Sequence, residues 1–185
     1  MKAHRSSLIT VAVAILALVG PVSCYAGTFN ITANGKGTSA TVYVSFAVGA
    51  YANLLTYTGT DSTGHAFSGQ AVGEYSNGFV SCTFTAFGGV SETGVTLTLV
   101  GGSAITIIPG VGKLFVQATT GTGCINSTTG DFSISQTDSI VGGGGTYLNA
   151  TGTQTDTFLG HNVGAPVSGS FNFEKFSSSL SITTP

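Results

Sequence analysis

Two patterns divide this chain. Positions 8–19 are apolar except for Thr10, whereas from residue 28 onward polar and apolar residues alternate in short runs. Phe29, Ile31 and Ala33 alternate with Thr28, Asn30 and Thr32, and Ala40, Val42, Val44, Phe46 and Val48 share a face opposite Thr41, Tyr43 and Ser45. The same period recurs over 54–60, 66–75, 79–87, 95–100, 105–108, 113–119, 131–140, 151–158 and 168–176. Gly, Asn, Ser or Asp clusters separate these runs, and nothing beyond residue 27 carries a helical stripe longer than a turn or two. The pattern predicts an all-β domain of about 8–10 strands, a single antiparallel barrel with a β-sandwich as the alternative.

The leading apolar run has a different meaning. Lys2, His4 and Arg5 precede it, Gly20 and Pro21 end it, and Ser23-Cys24-Tyr25-Ala26-Gly27 follows. That is the basic, apolar and small-residue order of a secretory signal peptide, too short for the roughly 20 residues of a permanent membrane helix. The expected layout is a signal peptide over 1–26, a barrel over 27–176 and a polar tail over 177–185. Cleavage after Ala26 removes Cys24; the alternative is a lipoprotein anchored through Cys24. No later stretch is long and apolar enough for a membrane helix. An integral outer-membrane barrel ranks last, since the chain has no Trp and ends in Thr-Thr-Pro.

Composition sharpens the picture. Beyond residue 26 there is no arginine, and three lysines against seven acidic groups leave a net charge of −4. Without a basic patch, nucleic acid is excluded as a partner. Cys82 and Cys124 are the two cysteines left after cleavage, and an even pair in an exported chain reads as a disulfide. The 12 Phe and six Tyr, with so few chemically active groups, point to a non-enzymatic barrel that binds a small apolar or aromatic ligand or a surface partner. The other readings are a cyclase- or isomerase-type enzyme working in an apolar cavity and a structural cell-surface protein.

One segment resembles a known family. Gly142-Gly143-Gly144-Gly145-Thr146-Tyr147-Leu148-Asn149-Ala150-Thr151-Gly152 is similar to the Gly-Gly-Thr-Gly-x-aromatic-x-x-Ala-x-Gly segment of allene oxide cyclase-like and dirigent-like β-barrels, as in exported bacterial β-proteins. Upstream, Cys124-Ile125-Asn126-Ser127-Thr128-Thr129-Gly130-Asp131-Phe132 resembles their cysteine-containing turn, so the likeness spans about residues 122–176. Gly144 stands where threonine is usual, and Thr146 where arginine is common. The resemblance implies a barrel scaffold with Gly142, Gly143, Gly145, Tyr147, Ala150 and Gly152 as a structural turn, in which Tyr147 and Ala150 plug one end. No catalytic set of that family aligns onto this chain, and fold does not transmit chemistry.

The remaining candidates are sparse. His65 with Asp61 and His161 with Asp156 supply the types for a two-histidine, carboxylate metal site, but at no ligand spacing, so solvated loop residues are the expectation and neither metal nor cofactor is assigned. Glu74 and Glu92 could form a carboxylate pair if Glu74 faces inward; rim carboxylates are the expectation. Thr151, Thr153, Thr155 and Thr157 line one strand face and are expected on a polar exterior. Neither a Gly-x-Ser-x-Gly elbow nor a phosphate loop is present, so no catalytic residue is assigned.

Overall fold

A computed structural model of the chain describes residues 26–45, 50–162 and 170–185. Residues 1–25 of the expected signal peptide and the apolar positions Phe46 and Val48 lie outside the described residues. The described chain is all-β. Its elements are β1 (Gly27–Ser45), β2 (Ala50–Asp61), β3 (Ala66–Thr85), β4 (Ser91–Ile108), β5 (Gly112–Ile125), β6 (Asp131–Gly145), β7 (Thr151–Asn162) and β8 (Ser170–Thr184). Each pairs antiparallel with its neighbour, and β8 returns to β1 to close a barrel in simple up-and-down order.

The sequence runs outnumber the strands because several glycine-rich breaks are bends within one strand. Runs 66–75 and 79–87 join as β3 across a bulge between Asn77 and Ser81, where Phe79 takes a positive φ of 53°. Runs 95–100 and 105–108 join as β4, whose register against β3 slips between Glu74 and Tyr75. In β1, Asn34, Gly35, Lys36 and Gly37 read as a turn but continue the ladder, with a shift against β8 between Gly35 and Gly37. Long strands with bulges suit an eight-stranded barrel, which must coil tightly to close.

The expected tail over 177–185 is instead the closing strand. Ser178, Leu180, Ile182 and Thr184 are buried in alternation with exposed Ser179, Ser181 and Thr183. Gly27 pairs with Thr184, Ile31 with Leu180 and Ala33 with Ser178. Serine content disguised a period-two pattern whose apolar members are few but inward-facing.

Inside, Ile31, Leu55, Phe67, Ile108, Leu114, Phe158, Leu180 and Ile182 belong to one apolar cluster. Phe176 is its hub, with ring centroids 5.1 Å from Phe158, 5.6 Å from Tyr57 and 6.3 Å from Phe67. Gly69 sits directly opposite Tyr57, and a Cβ there would collide with the Tyr57 ring. The absent side chain lets the ring lie across β3 and its hydroxyl reach Thr106 Oγ1 on β4 at 2.8 Å. Outside, β7 presents Thr151, Thr153, Thr155 and Thr157 to solvent.

The expected disulfide is present: Cys82 on β3 is bonded to Cys124 on β5, reaching over β4, with Cα atoms 6.0 Å apart and a sequence separation of 42. Replacing both cysteines by serine should lower stability by about 2–4 kcal/mol, chiefly by releasing a constraint on the unfolded chain. Urea unfolding measures it; an unchanged midpoint would mean that the bond adds nothing to stability.

Candidate functional site

The sequence-selected acids and histidines do not converge. Asp61 ends β2 and organises the tight turn into β3, its Oδ1 accepting hydrogen bonds from Thr63 N (2.8 Å), Thr63 Oγ1 (2.6 Å) and His65 N (2.9 Å). Burial pushes its carboxyl up, but these bonds outweigh burial and hold it below the usual range. His65 is exposed, with Nδ1 3.7 Å from Asp61 Oδ2. His161 stands at the other end of the barrel, opposite Asp131 in the β6–β7 ladder, whereas Asp156 is buried inside. Among the described residues no three His, Cys, Asp or Glu side chains gather as a ligand set.

Glu74 is exposed beside exposed Val72 on the outer face, so the pairing with Glu92 that an inward Glu74 would allow does not form. The inward positions of β3 are Gly73 and Tyr75 instead. Glu92 lies at the disulfide end, where its Oε2 accepts from Asn126 Nδ2 (2.8 Å) and Thr129 Oγ1 (2.9 Å). Burial pushes Asp131 up and neighbouring Glu92 pushes it further.

The glycine-rich segment forms the end of β6 and the turn into β7. Tyr147 and Ala150 are buried in the apolar cluster, the Tyr147 ring meeting Phe29 edge-on at 6.4 Å, and Ala150 N donates to Tyr147 O at 3.0 Å. Gly142 pairs with Phe115 and Gly143 with Leu114, extending the β5–β6 ladder to the turn. Gly145 and Gly152 have φ of +67° and +145°, conformations that favour glycine, and a Cβ on Gly152 would strike the Ser181 carbonyl.

The most unusual chemistry lies at two buried acids, one of which, Asp156, sits within β7 and not in the solvated loop expected beside His161. Asp138 on β6 and Asp156 on β7 are 2% and 3% exposed. Asp138 pairs with Gln154 and Asp156 with Gln136, so the two acids sit diagonally across the ladder on its inner face. Gln136 Nε2 donates to Asp138 Oδ2 at 2.9 Å, and Gln154 Nε2 donates to Asp156 Oδ2 at 2.7 Å. Ser178 faces Asp156 from β8, and the Tyr75 hydroxyl reaches Gln136 Oε1 at 3.5 Å from across the barrel. Burial pushes both carboxyls up; for Asp156 the nearby Asp138 charge adds to it, and its pKa reaches about 7. Burial likewise raises Tyr57 to about 12 and raises Tyr75.

A sequence signal existed. Phe132, Ile134, Gln136, Asp138 and Ile140 share one parity, as do Gln154, Asp156 and Phe158 opposite the threonine face, so two acids stand in otherwise inward series.

These acids have little room to act on a substrate. The interior cavity they line with Tyr75, Leu99 and Phe176 is about 30 Å³, and a second one of about 30 Å³ lies among Ile31, Phe67, Leu180 and Ile182. Either volume suits a water, not an organic molecule. The large concavities are outside: one of about 760 Å³ across β1–β4, bordered by Lys36, Thr38, Thr58, Gln70, Ile105 and Ile107, and a neighbour of about 480 Å³ that includes Leu54, Val72, Phe115 and Val141.

The raised Asp156 pKa sets a pH dependence. In the unfolded chain this carboxyl ionises near 3.8, and in the barrel near 7, so the folded state holds the extra proton between those values. The contribution of this carboxyl is therefore complete below about pH 4 and is lost as pH rises toward 7, by at most about 1.4 kcal/mol per pH unit. In metal-free buffer, Asp156→Asn should flatten that slope. Urea midpoints from pH 4 to 8 provide the measurement, and identical slopes for the two proteins would refute the assignment.

Comparison of the chain with protein-family models, with curated proteins and with solved structures returned no match in any of the three.

Proposed function

We propose that this is an exported, non-enzymatic β-barrel protein whose working surface is the outside of the barrel, where it binds a small apolar or aromatic ligand or a surface partner. The observation that carries this reading is the contrast between an interior with cavities of about 30 Å³ and an exterior concavity of about 760 Å³. Among the described residues no substrate-sized chamber adjoins the inner acids, which weighs against the cyclase or isomerase alternative. The groove pairs hydroxyl and amide groups (Thr38, Thr58, Gln70) with half-buried Ile105 and exposed Ile107, the mixture that a partly apolar ligand requires.

Export is supported by the signal-peptide pattern at 1–26 and by the Cys82–Cys124 bond, since disulfides form and persist in oxidising compartments. The destination is the periplasm or the medium, with anchoring through Cys24 as the alternative. An integral membrane barrel is disfavoured by polarity: Thr151, Thr153, Ser179, Ser181 and Thr183 face outward while the apolar cluster faces inward, the inverse of a lipid-facing barrel. Nucleic acid is equally disfavoured, because the exposed cations Lys36, Lys113 and Lys175 form no continuous basic stripe along any one strand.

A second reading, a structural protein that assembles through its rim, is favoured by one observation. Phe79 is 82% exposed at a positive φ, beside exposed Val80, and exposed Phe87 and Val90 flank the following turn.

An apolar fluorescent dye titrated onto the mature protein tests the groove. Ile107→Glu, at a half-exposed position, should weaken dye binding about tenfold with little change in melting temperature. Dye binding untouched by this change would remove the groove from the account. Sedimentation of the same samples, with mass growing as concentration rises, would favour assembly instead.

A further inference from the structure

We propose that the inner faces of β6, β7 and β8 form a binding site for a single hard cation, with Ca²⁺ the best-matched ion, bridging Asp138 and Asp156. This site is independent of the exterior groove.

Unused oxygen atoms converge there. Each carboxylate spends Oδ2 on its glutamine, while Asp138 Oδ1 and Asp156 Oδ1 have no hydrogen-bond partner. Ser178 is 5% exposed, pairs directly with Asp156 across the β7–β8 ladder, and its Oγ likewise completes no hydrogen bond. Buried polar atoms are nearly always satisfied, so three orphan oxygens on three neighbouring strands point to a shared occupant. The adjoining cavity of about 30 Å³ has room for one ion.

Charge points the same way. Lys36, Lys113 and Lys175 are exposed, and His65 and His161 lie at opposite ends of the barrel. The groups facing the two acids are Tyr57 from β2, Tyr75 from β3, Leu99 from β4, Ala118 from β5, Gln136 from β6, Gln154 from β7 and Ser178 from β8, none of them a cation. Two buried carboxylates without a counter-charge are strongly unfavourable. One divalent ion offsets both and takes up all three orphan oxygens. A single proton shared between the acids offsets only one of the two charges.

The donor set selects the ion. Carboxylate, hydroxyl and amide oxygens suit a hard cation, and the lining holds no imidazole nitrogen or thiolate to favour zinc or copper. Mg²⁺ retains several waters, for which this cavity has no space; Ca²⁺ accepts irregular all-oxygen surroundings. Because the site is enclosed, the ion enters as the barrel folds.

The test uses the disulfide-intact mature protein, refolded from urea in CaCl₂, in TbCl₃ or in a chelator. The chain has no Trp, and Tyr57 and Tyr75 line the cavity, so tyrosine-sensitised terbium emission reports an ion at this place. The expected results are about one Ca²⁺ retained per chain by elemental analysis, saturable terbium emission displaced by Ca²⁺, and a melting temperature raised by Ca²⁺. Asp138→Asn with Asp156→Asn should abolish all three, and Ser178→Ala should weaken affinity about tenfold. If the double variant fails to fold, Ser178→Ala and the metal count of the wild-type protein decide. Absence of retained Ca²⁺ together with an unmoved melting temperature would overturn the site and leave the shared proton. Emission that survives the double variant but is lost in Glu92→Gln would overturn it too, by assigning terbium to the rim.

Discussion

Everything in this protein depends on the ladder between its first and last strands. Gly27 to Ala40 on β1 pairs with Ser170 to Thr184 on β8, and that contact turns a meander of hairpins into a closed sheet without edges. A chain with so few charges has little else to prevent edge-to-edge association, so closure carries the burden that lysines carry on open sheets. Closure also assigns every side chain to an inside or an outside. With eight strands the inside is only about as wide as the side chains that fill it. Glycines at Gly69 and Gly121 make way for Tyr57, and for Leu99 with Gln136.

The same narrowness bears on function. A wider barrel could offer a chamber to a ligand; this one offers rings, aliphatic chains and a polar layer formed by two aspartates and two glutamines. Placing two of seven acidic groups in that layer is costly unless something neutralises them. The proton uptake at Asp156 and the cation proposed between the two acids are two answers to one electrostatic problem. Neither depends on the outer groove, where mixed hydroxyl and apolar surface remains open to a partner.

Much of this was legible in the sequence. Period-two alternation identified the all-β class, the lone cysteine pair identified the disulfide, and the threonines of β7 identified an outer face. The misread parts have specific causes. Gly35, Gly37 and the Ser76-Asn77-Gly78 stretch look like turns because the same residues serve turns and in-strand bends, so eight long strands read as a larger number of short ones. The serine-rich end of β8 looked like a tail because composition outweighed the alternation of Leu180 and Ile182. Glu74 could be placed inward because it shares a face with Val72, and Val72 is one of the apolar side chains that this barrel leaves exposed. Asp138 escaped notice, and Asp156 reads as a solvated loop residue beside His161, for a different reason: an acid on an inward face contradicts the usual burial rule, and such violations mark places where a structure is doing something other than packing.

The most direct check is amide hydrogen exchange over 177–184. Paired to β1 on one side and β7 on the other, these backbone groups should exchange as slowly as those of 27–35. Exchange at the rate of an unstructured tail would contradict closure, and with it the assignment of Asp138, Asp156 and Ser178 to a sealed interior.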